Sequence, residues 1–104
     1  MIHELRIYQI KVGKIGEYIK NFEQVAMPII SKYSTLVGYW TSDPGKLNHI
    51  YHMWSFDSLD QRAERRVALW NDPDWQEQYL PLALPLIVTQ DNVILNPTSF
   101  SPIK

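Results

Sequence analysis

Residues 35–56 read TLVGYWTSDPGKLNHIYHMWSF, and this stretch decides the fold. Two runs rich in β-branched and aromatic residues, 35–42 and 47–56, flank the segment Asp43-Pro44-Gly45-Lys46. A connection of four residues that contains Pro and Gly favours a tight turn. The stretch therefore predicts a β-hairpin.

The sequence before the hairpin predicts one strand and one helix. Residues 2–11, IHELRIYQIK, alternate between two faces as a strand does. Residues 14–33 carry apolar residues at steps of three and four, which indicates an amphipathic helix. Pro28 interrupts this helix, and we expect a kink or a restart there because Pro lacks the backbone N–H. The predicted apolar stripe consists of Ile15, Tyr18, Ile19, Phe22, Ala26, Ile29, Ile30 and Tyr33.

The sequence after the hairpin predicts a helix that begins near Ser58. Ser58-x-x-Gln61 has the spacing of a capping box, with Asp57 as the other candidate cap. The apolar residues of this helix predict a buried stripe made of Leu59, Ala63, Val67 and Trp70.

A second short helix and a last strand complete the predicted elements. Asp72-Pro73 is typical of an N-cap followed by Pro at the first helical position. Trp75 and Tyr79 are its expected anchors. We expect 80–88, which holds Pro81 and Pro85, to be irregular, and 92–96 to form the last strand.

This order of elements is βαββαβ, the pattern of a ferredoxin-like α+β fold. Right-handed crossovers place both helical layers on one face of a four-stranded antiparallel sheet. Yet the strands carry large apolar residues on both faces, and a half-solvated sheet would show polar residues on its wet face. We therefore expect a homodimer that pairs the uncovered faces. A monomer whose second face is covered by 80–88 and the C-terminal tail is the alternative.

Composition limits the class of protein. The chain has 104 residues, a formal net charge of −1 and no cysteine, which fits a single domain over 1–104. Zero Cys excludes disulfides and thiolate zinc sites, and the charge argues against a nucleic-acid partner. We find no signal peptide and no membrane span, and we expect a cytoplasmic protein.

Several short motifs, taken together and in order, resemble the NIPSNAP family along nearly the whole chain. The resemblance implies a dimeric α+β barrel and no settled activity. The motifs are Glu4-Leu5-Arg6-x-Tyr8, Gly38-Tyr39-Trp40, Gly45-x-x-Asn48-x-x-x-His52-x-Trp54, Ser58-Leu59-x-x-Arg62-x-x-Arg65-Arg66, Asp72-Pro73-x-Trp75 and Pro97-x-x-Phe100-Ser101-Pro102.

The first and third strands supply the candidate site. Strand parity places Glu4, Arg6 and Tyr8 on one face, and the first strand neighbours the third in this fold. Asn48 and His52 then join the same polar cluster. This cluster is either a small pocket for a carboxylate or phenolate, with Arg6 as the anion partner, or an ion pair at the dimer seam. His49 and His52 lie three apart on a strand, point to opposite faces and cannot chelate a metal together.

The residues support two main functions and one structural alternative. The first function is a dimeric module that binds a small aromatic or anionic molecule through Tyr8, Trp40, Trp54 and Arg62, without a cofactor. The second is a cofactor-independent monooxygenase- or isomerase-like enzyme in which His52 is the general base and Arg6 or Asn48 stabilises an oxyanion. The structural alternative is a polar cluster that only fixes the register of the dimer.

Overall fold

The computed structural model describes residues 1–104 and has the predicted βαββαβ order. The strands form one antiparallel sheet in the order β2-β3-β1-β4. The elements are β1 (Ile2–Ile10), α1 (Ile15–Asn21), a π-helical turn (Phe22–Ala26), α2 (Met27–Ile30), β2 (Thr35–Thr41), β3 (His49–Phe56), α3 (Leu59–Trp70), a second π-helical turn (Trp75–Tyr79), α4 (Leu80–Ala83), a 3₁₀ turn (Leu84–Leu86) and β4 (Ile87–Leu95).

The core lies between one face of the sheet and the two helical layers. Strand residues such as Tyr8 and Trp54 meet helical residues such as Phe22, whose ring centroid lies 6.2 Å from that of Trp54. The predicted stripe of the first helical layer is confirmed, since Tyr18, Phe22, Ala26, Ile29 and Ile30 are all buried. Alternation along β1 and β3 therefore sends the even-numbered side chains into the core.

Both helical layers widen into a π-helical turn two residues before a proline. Phe22–Ala26 precedes Pro28, and Trp75–Tyr79 precedes Pro81. A proline lacks the N–H that an α-helix needs and clashes with the carbonyl four residues earlier, and a wider turn relieves both problems. The break predicted at Pro28 thus takes the form of a π-turn rather than a sharp kink.

The buried stripe predicted for α3 is wrong. Val67 is 62 % exposed and Trp70 43 % exposed, while Leu69 is 1 % exposed. Arg62 and Arg66 share the side of α3 on which Leu69 lies, and Arg62 binds the buried Glu4. The ion pair with Glu4 orients the Arg62 side of α3 toward the sheet, and the predicted apolar stripe lies about a quarter turn away. Leu59 and Val67 of that stripe face outward, whereas Trp70 still borders the cavity between the sheet and the helical layers.

Two strand boundaries also differ from the prediction. The last strand begins at Ile87 rather than at residue 92. The prediction missed its first residues because β4 is an edge strand whose mostly exposed residues do not alternate in polarity. β3 begins at His49, because Asn48 adopts the left-handed conformation with φ of 60° and ends the turn there.

Candidate functional site

Glu4 is the hub of a charged cluster on the covered face of the sheet. Its Oε2 accepts hydrogen bonds from Arg62 Nη2 at 2.6 Å, Asn92 Nδ2 at 2.8 Å and Arg6 Nη1 at 3.1 Å. β1 places Glu4 and Arg6 two residues apart on one face, β4 brings Asn92 opposite Arg6, and α3 delivers Arg62. Glu4 is 1 % exposed, so a single carboxylate is held between two guanidinium groups inside the protein.

The surroundings keep Glu4 ionised. Burial by itself raises the pKa of Glu4, but the hydrogen bonds from Arg62 and Asn92 and the charges of Arg6 and Arg62 lower it to about 2. Arg6 also donates from Nε to the Tyr8 hydroxyl at 2.7 Å. The orientation of Tyr8 is therefore fixed by the same ion pair.

His52 is a buried, neutral side chain beside this cluster. Trp54 Nε1 donates to His52 Nδ1 at 2.7 Å. An indole N–H can only donate, so Nδ1 must be unprotonated, and we assign the ring proton to Nε2. Burial, together with the positive charge of Arg6, lowers the pKa of His52 from 6.5 to about 3. The ring stacks on Tyr39 at 4.6 Å, and its Nε2 has no hydrogen-bond partner within the chain.

A cavity of about 110 Å³ lies between the sheet and the helical layers at this cluster. Its lining is mostly aromatic and aliphatic, with Arg66 and Arg6 as its cationic members. No ion pair within the chain involves Arg66. Burial, followed by the positive charges of Arg6 and Arg62, lowers the pKa of Arg66, while the charge of Glu4 opposes this shift.

Two tyrosines form the helical wall of the cavity. Tyr79 Oη donates to Tyr18 Oη at 3.2 Å. Burial raises the pKa of Tyr18 to about 12 and raises that of Tyr79 further, so both phenols stay protonated. Trp75 stands beside Tyr79 at a centroid distance of 4.5 Å, and its buried Nε1 has no partner within the chain.

The structure brings most of the sequence-predicted site residues together. Arg6, Tyr8, His52 and Trp54 line the cavity. Arg62 is not among the lining residues but binds Glu4, which is one of them. Asn48 stays outside, because it sits in the β2–β3 turn, where its carbonyl accepts from the Ile10 N–H at 2.7 Å.

Trp40 also lies outside the cavity. It is 51 % exposed near the sheet edge, and its ring covers Gly38 so closely that a Cβ there would clash with it. Trp40 instead borders a separate groove beside β2.

The site also contains residues that are not among the predicted site residues, namely Asn92, Arg66, Trp75, Tyr18 and Tyr79. The spacing in the sequence does indicate Arg66 as a site residue, because it lies four residues after Arg62 and therefore shares its helix face. The chain has no group of three His, Asp or Glu side chains arranged to hold a metal ion. None of its helices combines the length and apolar character needed to cross a bilayer.

The model of the NIPSNAP family matches residues 3–102 of this chain. The chain belongs to the NIPSNAP family. Over 95 residues, 90 % of the chain, it is 39 % identical to Protein NipSnap homolog 3A of Homo sapiens. The match covers 38 % of that relative, so the chain spans less than half the length of the curated NIPSNAP relatives that it matches first.

Solved structures support the fold over the whole chain. A NIPSNAP family protein with unknown function from Agrobacterium tumefaciens superposes with a TM-score of 0.96 at 42 % identity, over 100 % of this chain and 94 % of that one. A cofactor-independent oxygenase from Streptomyces nogalater superposes with a TM-score of 0.67 at 12 % identity, over 97 % of this chain and 96 % of that one. The second likeness shows a shared fold alone.

Proposed function

We propose that this NIPSNAP protein binds a small anionic aromatic molecule in the cavity between the sheet and the helical layers. The observation that carries the proposal is Arg66, a guanidinium that lines a largely apolar cavity and has no carboxylate partner. Glu4 is already engaged by Arg6 and Arg62, so the guanidinium of Arg66 lines the same cavity as a third positive charge without a carboxylate of its own. A ligand carboxylate or phenolate would balance this excess and accept a charge-assisted hydrogen bond.

The size of the cavity limits the ligand to about one ring. An engineered apolar cavity of roughly 150 Å³ holds a benzene molecule. The cavity here, at about 110 Å³, is smaller, so a single ring is the largest group that the proposal places in it. A molecule with several fused rings would need a larger rearrangement of the helical layers.

The alternative of an enzyme with His52 as general base receives less support from the geometry. The nitrogen that could take a proton, Nδ1, is occupied by the Trp54 N–H. The pKa of His52, at about 3, also lies far below the value near neutrality that suits a general base. Glu4, with a pKa of about 2, is no better as a proton acceptor.

Calorimetric titration with benzoate and its neutral isostere benzamide tests the binding function. We expect benzoate to bind at least about tenfold more tightly than benzamide, because only benzoate forms a charge-assisted hydrogen bond. Arg66→Gln should lose about tenfold of the benzoate affinity. Arg65→Gln, which alters the exposed neighbour on the same helix, should keep it. Equal binding of benzoate and benzamide, or wild-type affinity in Arg66→Gln, would contradict the proposal.

A homodimer that pairs the uncovered sheet faces is part of this proposal. Odd-numbered residues of β1 and β3 lie on that face, and Leu5 is registered between Met53 of β3 and Val93 of β4. An open face with this apolar centre favours a partner, and a second copy supplies the same surface by twofold symmetry. The cytoplasmic location expected from the sequence stays a prediction.

A further inference from the structure

Two buried N–H groups of residues that line the cavity have no acceptor within the chain. They are Nε2–H of His52, which is 3 % exposed, and Nε1–H of Trp75, which is 6 % exposed. A buried donor without a partner is unfavourable, so an acceptor atom that reaches either group would be favoured. Neither group takes part in the anion binding proposed above for Arg66.

The donor character of His52 is fixed by its neighbours. Trp54 donates to Nδ1 and thereby holds the ring proton on Nε2. Tyr39 stacks on one face of the ring at 4.6 Å, and Tyr8 meets it edge-on at 4.7 Å. These contacts leave the ring little freedom to turn, so His52 presents a donor of fixed orientation.

Trp75 lies in the helical layer, on the opposite side of the cavity from His52. It belongs to the second π-helical turn, and its ring packs against Tyr79. The widened turn displaces side chains from the positions that a regular helix would give them, and such turns are frequent at functional sites. The two unpartnered donors thus come from different layers, one from β3 and one from the helical layer.

We propose that the N–H groups of His52 and Trp75 form a second recognition point, at which either of them donates to an uncharged acceptor atom of the ligand, away from its anionic group. This inference rests on the binding function proposed above and narrows the ligand class. The ligand is then a one-ring acid that also carries a carbonyl oxygen, an ether oxygen or a ring nitrogen. A plain aromatic acid satisfies Arg66 but leaves both N–H groups without a partner.

The three pyridinecarboxylates, picolinate, nicotinate and isonicotinate, are suitable probes. Each has the size and charge of benzoate and differs by one ring nitrogen, which is an acceptor at neutral pH. We expect at least one isomer to bind about fivefold more tightly than benzoate, the gain of one hydrogen bond to a buried donor. The gain should disappear in His52→Phe or in Trp75→Phe, whichever removes the donor that the ring nitrogen meets.

Trp40→Phe is the matched control, because Trp40 is exposed and lies outside the cavity. It should keep the full preference for the pyridinecarboxylate. If all three isomers bind like benzoate, or if both cavity variants keep the preference, the second recognition point is wrong while the Arg66 site stands. If neither benzoate nor any isomer binds, both proposals fail.

Side-chain ¹⁵N–¹H spectra of the wild-type chain give a readout that does not depend on the folding of a variant. We expect the His52 ring proton on Nε2 in the free protein. Addition of the preferred isomer should shift the resonance of His52 Nε2–H or Trp75 Nε1–H downfield and leave that of Trp40 in place. A His52 proton on Nδ1, or unchanged resonances of both groups at saturation, would overturn the inference.

Discussion

At the scale of single residues, the site depends on which side chains remain charged and which remain neutral. Glu4 stays a carboxylate because Arg62, Asn92 and Arg6 all donate to it. His52 stays neutral because it is buried near Arg6 and carries no carboxylate partner of its own. The cavity therefore combines guanidinium groups with neutral donors, which is the chemistry that the proposed anion-binding function requires.

The neutral state of His52 predicts a specific loss of stability in acid. The pKa of His52 falls from 6.5 to about 3 on folding, so the unfolded chain binds more protons between these two values. Stability therefore decreases as pH falls through this window, by about 2 kcal/mol from this residue between pH 7 and pH 5. Glu4, whose pKa falls from 4.5 to about 2, adds its loss only at lower pH.

Urea denaturation at pH 7 and pH 5 measures this loss. The His52→Phe variant lacks the titrating group, so its unfolding free energy should change less between the two conditions than that of the wild type. Identical pH dependence of the two proteins would show that His52 titrates normally in the folded state.

The sequence predicts part of this residue-level picture. The period of two along a strand is enough to place Glu4, Arg6 and Tyr8 together, and the fold puts them beside His52. Asn92 could not be assigned, because its position depends on the register of an edge strand with little alternation. Trp75 was read correctly as an anchor, but the missing partner of its N–H is visible only in three dimensions.

At the scale of elements, α3 shows where periodicity falls short. The sequence predicts the start of α3 correctly, and the Ser58 hydroxyl accepts from the Gln61 N–H at 3.1 Å. Its apolar stripe indicates the wrong buried side, because hydrophobicity carries no information about the buried carboxylate that Arg62 must reach. A local pattern thus locates the helix, and a contact 58 residues away in sequence sets its rotation.

The rotation of α3 can be tested by two truncations on the same helix. Leu69→Ala should lower the unfolding free energy by about 3 kcal/mol, because it removes a side chain that is 1 % exposed. Val67→Ala should change it by less than about 0.5 kcal/mol, because Val67 is 62 % exposed. Urea denaturation measures both values, and the opposite ranking would restore the stripe predicted from the sequence.

At the scale of the whole molecule, the layers predict how the protein associates. The helical layers cover one sheet face, and the other face centres on Leu5, Met53 and Val93. Leu5→Lys should dissociate the proposed dimer, because it places a charge in the middle of the apolar contact. Val67→Lys, on the outer side of α3, is the matched control and should stay dimeric. Analytical ultracentrifugation distinguishes the outcomes, and a wild-type monomer would contradict the paired sheets.

The most direct test of the proposed binding site is a crystal structure of the protein soaked with benzoate. We predict density for one ring between the sheet and the second π-helical turn, with the carboxylate within hydrogen-bond distance of the Arg66 guanidinium. An Arg66→Gln crystal treated in the same way should lack this density. Ring density confined to the surface or to the uncovered sheet face, or an unchanged cavity at saturating benzoate, would contradict the proposed site.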